Sequence, residues 1–580
     1  MTVNQSVRPL MVILAMSLMT IPALARNAGE PGFVTRKVMD LSAAGTSFMQ
    51  VPVFSLSRQQ EQPQASEALG NFTMTGINRQ VLGDLVASRP EFIEVTLPRR
   101  GTTAITLLLY RVNISGNGFT LQTNDGRSFG EYNPVVHYRG MVENDPQSVA
   151  SVSFSQEETM ALISTGEGNY VLGKMDLPGT NGNNYNDHRY VFYNDRDLLV
   201  PFVYDCGTNT SGLPRDPLPV PNGNTPSVQS TNCVDWFWET DYDIFVGKGS
   251  LANVNSYMQG VFNQVSTLYN NDGISITLQT LYVWTSTDPY TGPSTSNYLS
   301  QFGANRTSFT GDLANLMGYN GGGGVAYVDG LCASNQFRMG YCGIGSTFNN
   351  VPTYSWTVEV VTHEEGHLLG SYHTHDCVWN GNNTAIDGCG DQAGYNGSGN
   401  CATGPLPASG TIMSYCHLVG SVGINFNNGF GPQPTAVMLG NVNTSTCLAP
   451  CSSCQPPNQP GSISGQTSYC LPSSQTYSIV SVMGATSYSW TLPSGWTGSS
   501  TTNTITVTQG TTGGTISVTA DNSCGSSPAR TLTVTGNAGP GQAGNLTGST
   551  SVCQGTVNVY KISPVSGATS YTWSLPSGWT

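Results

Sequence analysis

The chain has 580 residues, of which Lys and Arg contribute 21 and Asp and Glu 35, giving a formal net charge of −14. That balance excludes a nucleic-acid binder, because phosphate recognition needs a basic footprint, and the length excludes a single core, pointing to about three to five domains. Only 10% of residues are charged while glycines number 68, a turn-rich and β-rich composition that fits an extracellular protein.

Residues 1–25 read as a secretory signal. Arg8 precedes an apolar run from Leu10 to Ile21, and Ala23-Leu24-Ala25 offers small residues for cleavage before Arg26. A membrane anchor is the competing reading, but about 12 apolar residues fall short of the ~20 that span a bilayer. No later stretch is apolar enough to span. The expectation is a secreted or cell-surface protein whose 14 cysteines are disulfide candidates.

Residues 26–221 hold short alternating segments, such as Ile105-Thr106-Leu107-Leu108-Leu109 and Ser151-Val152-Ser153-Phe154, divided by Gly, Asn and Asp turns. They predict a β-rich domain. Its single cysteine, Cys206, lies in Asp205-Cys206-Gly207-Thr208, ahead of a Pro-rich linker from Pro214 to Pro226. Residues 228–450 change to a mixed pattern. Val234, Trp236 and Trp238 alternate as a strand. Leu251, Val254, Met258, Val261, Val265 and Leu268 recur at helical spacing behind Ser250, a candidate N-cap. Ile274, Ile276 and Leu278 give another strand.

The chemistry concentrates at His363-Glu364-Glu365-Gly366-His367-Leu368-Leu369-Gly370-Ser371-Tyr372-His373. Five of the chain's seven histidines fall between His363 and His417, which weighs against a chance match. A helix from near Thr353 to Leu369 would bury Tyr354, Val358, Val361 and Leu368 against a sheet. It would also stack His363 and His367 on one face, both able to reach one ion. Glu364 is placed to take a proton from water rather than to bind metal. Gly370 can turn the chain in the left-handed conformation, so that His373 returns as a third ligand. Three protein ligands fit one catalytic Zn2+ with a fourth position open.

Cys206 then has two readings: a zymogen switch whose thiolate takes that fourth position, or a disulfide partner, for instance of Cys233. The ten cysteines from Cys233 to Cys454 can pair among themselves without it. Asn380 to Asn383 and Asp387 to Asp391 form an oxygen-rich loop. It suits either Ca2+ or a disulfide staple closed by Cys389 and Cys401, and the staple is the commoner arrangement.

Beyond a Pro-rich linker at 455–460, a repeat begins. Cys470, Tyr488, Trp490 and Leu492-Pro493-Ser494-Gly495-Trp496-Thr497 return as Cys553, Tyr571, Trp573 and Leu575-Pro576-Ser577-Gly578-Trp579-Thr580, each 83 residues later. The pattern predicts tandem immunoglobulin-like or PKD-like β-sandwiches, one at 461–540 and the start of another at 541–580, with Cys470 paired to Cys524. The sequence ends inside the second copy. Both modules suit spacers or binders of matrix or carbohydrate.

The pattern H-E-x-x-H-x-x-G-x-x-H resembles the metzincin zinc endopeptidases, and Thr411-Ile412-Met413-Ser414-Tyr415 resembles the Met-turn that lies beneath the metal in that clan. The resemblance implies an α+β catalytic domain, with a twisted mixed sheet and a zinc-binding active-site helix, acting on protein or peptide substrates. Met413 would then lie under the site. Tyr415 matches the tyrosine that astacin-like and serralysin-like members hold near the metal, which binds the oxyanion or ligates zinc. Gly323 to Val328 is similar to the sheet-edge strand that pairs with substrate in the clan, although a core strand fits its residues equally.

His137 to Asn144, followed by Ser151 to Phe154, resembles the propeptide of reprolysin-type proteases, which chaperones and silences the enzyme. Reprolysins carry Asp directly after the third His, whereas this chain has Thr374-His375-Asp376. His375 lies two residues too far for the clan pattern, and Asp376 is suited to supporting the site from behind. The domain order resembles exported proteases of Bacteroidota-type bacteria. The competing class is a surface adhesin whose protease-like domain has lost activity.

Overall fold

The computed structural model describes residues 30–57, 63–130, 132–175, 190–199, 205–208, 229–320, 322–344, 354–395, 401–451, 459–469, 473–480, 487–522, 525–536 and 539–580, with single residues 218, 457, 482 and 485. The signal-like segment and the Cys470–Cys524 pair fall outside them. Two compact units result, Met1–Cys451 and Ser452–Thr580. No helix among the described residues is long and apolar enough to cross a membrane.

The first unit contains two sheets. The N-terminal residues build a ten-stranded sheet. The hairpin β1 (Ser115–Thr123) and β2 (Ser128–Phe129) leaves it, while the antiparallel run β3 (Val136–Val142), β4 (Val149–Phe154), β5 (Thr159–Thr165) and β6 (Gly168–Lys174) forms its centre. The second sheet is mixed. It comprises β7 (Asp205–Cys206), β8 (Val234–Thr240), β9 (Ile276–Val283), β10 (Leu313–Gly318), β11 (Gly323–Ala326) and β12 (Met339–Gly343), in the order β7-β11-β12-β10-β8-β9-β1-β2. Two expected domains are therefore interleaved, since both ends of this sheet come from the N-terminal residues.

β8 lies at the middle, paired in parallel to β9 and β10. Both its faces are buried, Trp236 and Trp238 on one and Phe237 and Glu239 on the other, as parallel strands require. Two helices pack on this sheet, α1 (Leu251–Asn271) and α2 (Tyr354–Leu368). Ser250 caps α1 by accepting from the Asn253 N–H at 3.1 Å. Val254, Met258, Val261, Val265 and Leu268 then share one core with Trp236 and Trp238. α2 is anchored through Glu365, whose Oε1 accepts from the Trp238 indole at 2.8 Å.

The second unit is all-β. A five-stranded sheet containing Ser487–Thr491, Gly514–Asn522 and Arg530–Gly536 faces the pair Ser474–Ser478 and Thr504–Thr508. Tyr477, Trp496, Ile505, Ile516 and Val534 fill the space between them. Across 539–580 the only pairing is an isolated bridge, Thr547 to Lys561. Trp496 is 6% exposed, whereas its repeat Trp579 is 43% exposed.

Candidate metal centre and cleft

α2 places His363 and His367 one turn apart and ends at Gly370, whose φ is +98°. The Ser371 N–H bonds back to the Gly366 carbonyl at 2.9 Å and the Gly370 N–H to that of His367 at 2.8 Å. This is the two-bond cap of a left-handed glycine terminus. It reverses the chain so that His373 Nε2 lies 3.1 Å from His367 Nε2. Ligand atoms of His363, His367, His373 and Cys206 all fall within 4.8 Å of one another.

Each helix imidazole is oriented from behind. His363 Nδ1 donates to the Ile412 carbonyl and His367 Nδ1 to that of Ser371, both at 2.8 Å. Those bonds fix the tautomer that turns the Nε2 lone pair inward. Burial above all, then neighbouring imidazoles, holds both rings far below the ordinary histidine pKa and therefore neutral. Behind His373, Asp376 accepts from its backbone N–H at 3.1 Å, and the Trp379 indole donates to its carbonyl at 2.7 Å. His375 stacks on the His373 ring at 5.0 Å and takes no part in the four-residue cluster.

Met413 is buried beneath the helix, and a Cβ at Gly366 would lie 2.7 Å from its sulfur. Glycine at 366 therefore admits the Met-turn against the helix. Gly324 does the same on the other side, because a Cβ there would overlap the Glu364 side chain. Neither role can be read from spacing, since both depend on a partner distant in sequence.

Glu364 faces the cleft, and burial raises its carboxyl to about 8, an effect offset by hydrogen bonds from Cys206 and Thr208. Three imidazoles, two of them held neutral, and a thiol bring their donor atoms together in one buried pocket. Such converging lone pairs fit a divalent ion, and a nitrogen-rich set with one sulfur suits zinc.

The segment Cys206 to Thr208 occupies the cleft. β7 pairs in parallel with β11, matching Cys206 to Gly324, so Gly323–Ala326 would be the edge of the sheet without it. Cys206 Sγ lies 3.6 Å from His367 Nε2. The Tyr415 hydroxyl donates to the Cys206 carbonyl at 3.3 Å. Thr208 Oγ1 accepts from the Ala326 N–H at 2.9 Å and lies 3.1 Å from Glu364 Oε2. The Thr208 contact joins residues 156 apart in the chain, so spacing alone does not reveal it, although Thr208 lies only two residues from Cys206.

The cysteines correct three expectations. Cys233 bonds Cys451, so it does not pair with Cys206, which is a buried free thiol. Cys389 bonds Cys416 and Cys401 bonds Cys377, rather than Cys389 bonding Cys401. Cys332 pairs with Cys447, and Cys342 is buried and free, so among the described residues the cysteines from Cys233 onward do not all pair among themselves. The oxygen-rich loop is stapled by disulfides, and Asp387 is engaged in accepting from the Cys389 N–H at 3.0 Å.

Residues 230–417 match the sequence profile of metallopeptidase family M12, and 456–534 and 540–580 match that of a PKD-like domain. No curated protein matches the chain. Among solved structures, it is similar to metalloproteinase-II from Bacteroides fragilis, with 12% identity and a TM-score of 0.29 over 52% of this chain and 87% of that one. It is also similar to a chaperone-substrate complex, with 14% identity and a TM-score of 0.20 over 39% of this chain and 32% of that one.

Proposed function

With a domain of metallopeptidase family M12 at residues 230–417 and PKD-like modules behind it, we propose that the protein is an exported bacterial zinc endopeptidase, made as a latent precursor. The observation that carries this reading is the convergence of His363, His367, His373 and Cys206 donor atoms within 4.8 Å, with Glu364 alongside. His363, His367 and His373 would hold the zinc, which when bound would supply Lewis acidity to acidify water and polarise a peptide carbonyl.

The chain's own groups do the rest. Glu364, whose ionised form a neighbouring cation would favour, takes the proton from the attacking water and delivers it to the leaving amine. Once β7 is gone, β11 offers the edge it uncovers to an extended substrate, whose backbone pairs with it. Tyr415 turns its hydroxyl from the Cys206 carbonyl to the oxyanion that develops on the attacked carbonyl. Latency follows from the same geometry. Cys206 covers the metal position, Thr208 engages Glu364 and the Cys206 carbonyl engages Tyr415, so one short strand blocks three functional groups.

Cleavage of casein or gelatin by the chain freed of residues 26–221 tests the reading. A chelator should abolish cleavage and zinc should restore it, whereas turnover that survives chelation would sink it. The adhesin alternative is weakened by the complete donor set and Glu364, and it predicts no cleavage at all.

A further inference from the structure

Outside the cleft, the N-terminal residues touch the protease over surfaces that the proposed reaction does not use. The hairpin β1–β2 extends the protease sheet, pairing in parallel with β9 from Thr280 opposite Thr120 to Val283 opposite Thr123. On α1, the face turned from the protease core is a row of amides and hydroxyls. Asn263 Nδ2 lies 3.3 and 3.2 Å from the Tyr138 and Val152 carbonyls of β3 and β4. Asn255 donates to the Tyr132 carbonyl at 2.7 Å, and Arg139 Nη2 to Ser266 Oγ at 2.6 Å.

A third contact lies beyond the Met-turn. Asn169 Nδ2 donates to the Ile424 carbonyl at 3.0 Å and its Oδ1 accepts from the Phe426 N–H at 3.1 Å. Asn425 Nδ2 donates to the Thr165 carbonyl at 2.8 Å. Apolar packing joins these bonds, because Met141, Met160, Leu162 and Val171 belong to the same core as Val254, Met258 and Val261. Gly260 makes the groove for Met160, since a Cβ there would overlap the Met160 sulfur.

We propose that this surface makes the N-terminal domain a non-covalent protein partner of the protease, so that cutting the linker yields a complex and not a freed enzyme. The inference rests on reading residues 26–221 as a propeptide, but it concerns affinity and not chemistry. A cut removes only the tether, whose contribution is an effective concentration. Strand pairing, buried side-chain bonds and the shared core remain. Unblocking the cleft then needs a second event, the digestion or displacement of the N-terminal domain.

The test uses the full chain with residues 222–227 replaced by the recognition sequence of a site-specific protease, in a Glu364→Ala background that prevents self-digestion. After cutting, both pieces should co-elute on gel filtration at micromolar concentration, which requires a Kd below about 1 μM. Separation at that concentration would overturn the proposal. Asn169→Ala, on the N-terminal side, and Asn263→Ala, on α1, should each raise the dissociation constant about tenfold by orphaning buried partners. Unchanged dissociation in both would show that the surface is wrongly located. Co-elution is read without turnover, so failure here is distinguishable from absence of peptidase activity in the wild-type chain.

Discussion

The N-terminal residues meet the metallopeptidase domain in two ways, which would divide the labour in the proposed precursor. In the cleft, Cys206 to Thr208 touch His367, Glu364 and Tyr415; the contact is small, and each of these bonds occupies a group assigned to the proposed chemistry. On α1 and the loop after the Met-turn, the contact is broad and touches nothing proposed to be catalytic. The difference makes silencing and attachment separable properties of the proposed precursor. One helix makes the point in miniature: the apolar face of α1 joins the protease core, while its amide face bonds to strands of the N-terminal sheet.

Substitutions can separate the two contacts. The largest effect is expected of Glu364→Ala, which should lower kcat/KM of the liberated protease by about 10²–10⁴-fold while zinc content stays unchanged; full turnover in that variant would refute the assigned base. Tyr415→Phe should cost about 10²-fold in kcat with little change in KM, as loss of an oxyanion donor does, and steady-state kinetics on a peptide substrate will read it. Cys206→Ala in the uncut chain should raise activity above the wild-type precursor without loosening the domains. Unaltered latency would mean that the broad contact silences the enzyme by itself.

An effect on stability and not on turnover is a pH dependence at the broad contact. His137 is buried between Ser153 and Gln259, at 2.9 and 3.3 Å, with Arg139 on the same strand. Burial above all lowers its pKa from 6.5 to about 3. A base whose pKa is lowered on folding binds fewer protons in the native state, so stability is present above the unfolded value and lost as pH falls. The window runs from about 6.5 down to about 3, at up to about 1.4 kcal/mol per pH unit. The precursor should therefore loosen on acidification, and His137→Gln should flatten that profile in urea melts collected across the window. Equal slopes in both proteins would remove His137 from the account.

Much of the site was legible because its residues are local. His363, His367, Gly370 and His373 lie within a few turns of chain, and the glycine terminus bends as the spacing demanded. Met413 could be found by resemblance. What could not be read were long-range partners: Thr208 beside Glu364, Gly324 and Gly366 thinned for close approach, and Ile412 orienting His363. Disulfide pairing failed for the same reason, since Cys389 to Cys416 depends on where the Met-turn folds back. In the fold, the strands of the protease core were plain from alternation in Val234 to Trp238, yet nothing in β1 marks it as belonging to a sheet whose other strands lie far along the chain. The amide row on α1 was visible as polar residues between the apolar ones, but a polar face ordinarily signals solvent, and only the fold revealed a second sheet against it.

The most direct test of the account is zinc K-edge X-ray absorption on the uncut, zinc-loaded chain. Three imidazole nitrogens and one sulfur at about 2.3 Å are expected, with the sulfur replaced by a light scatterer in Cys206→Ala. A shell without sulfur in the uncut wild-type chain would contradict the latch, and one without imidazole scattering would contradict the zinc site itself.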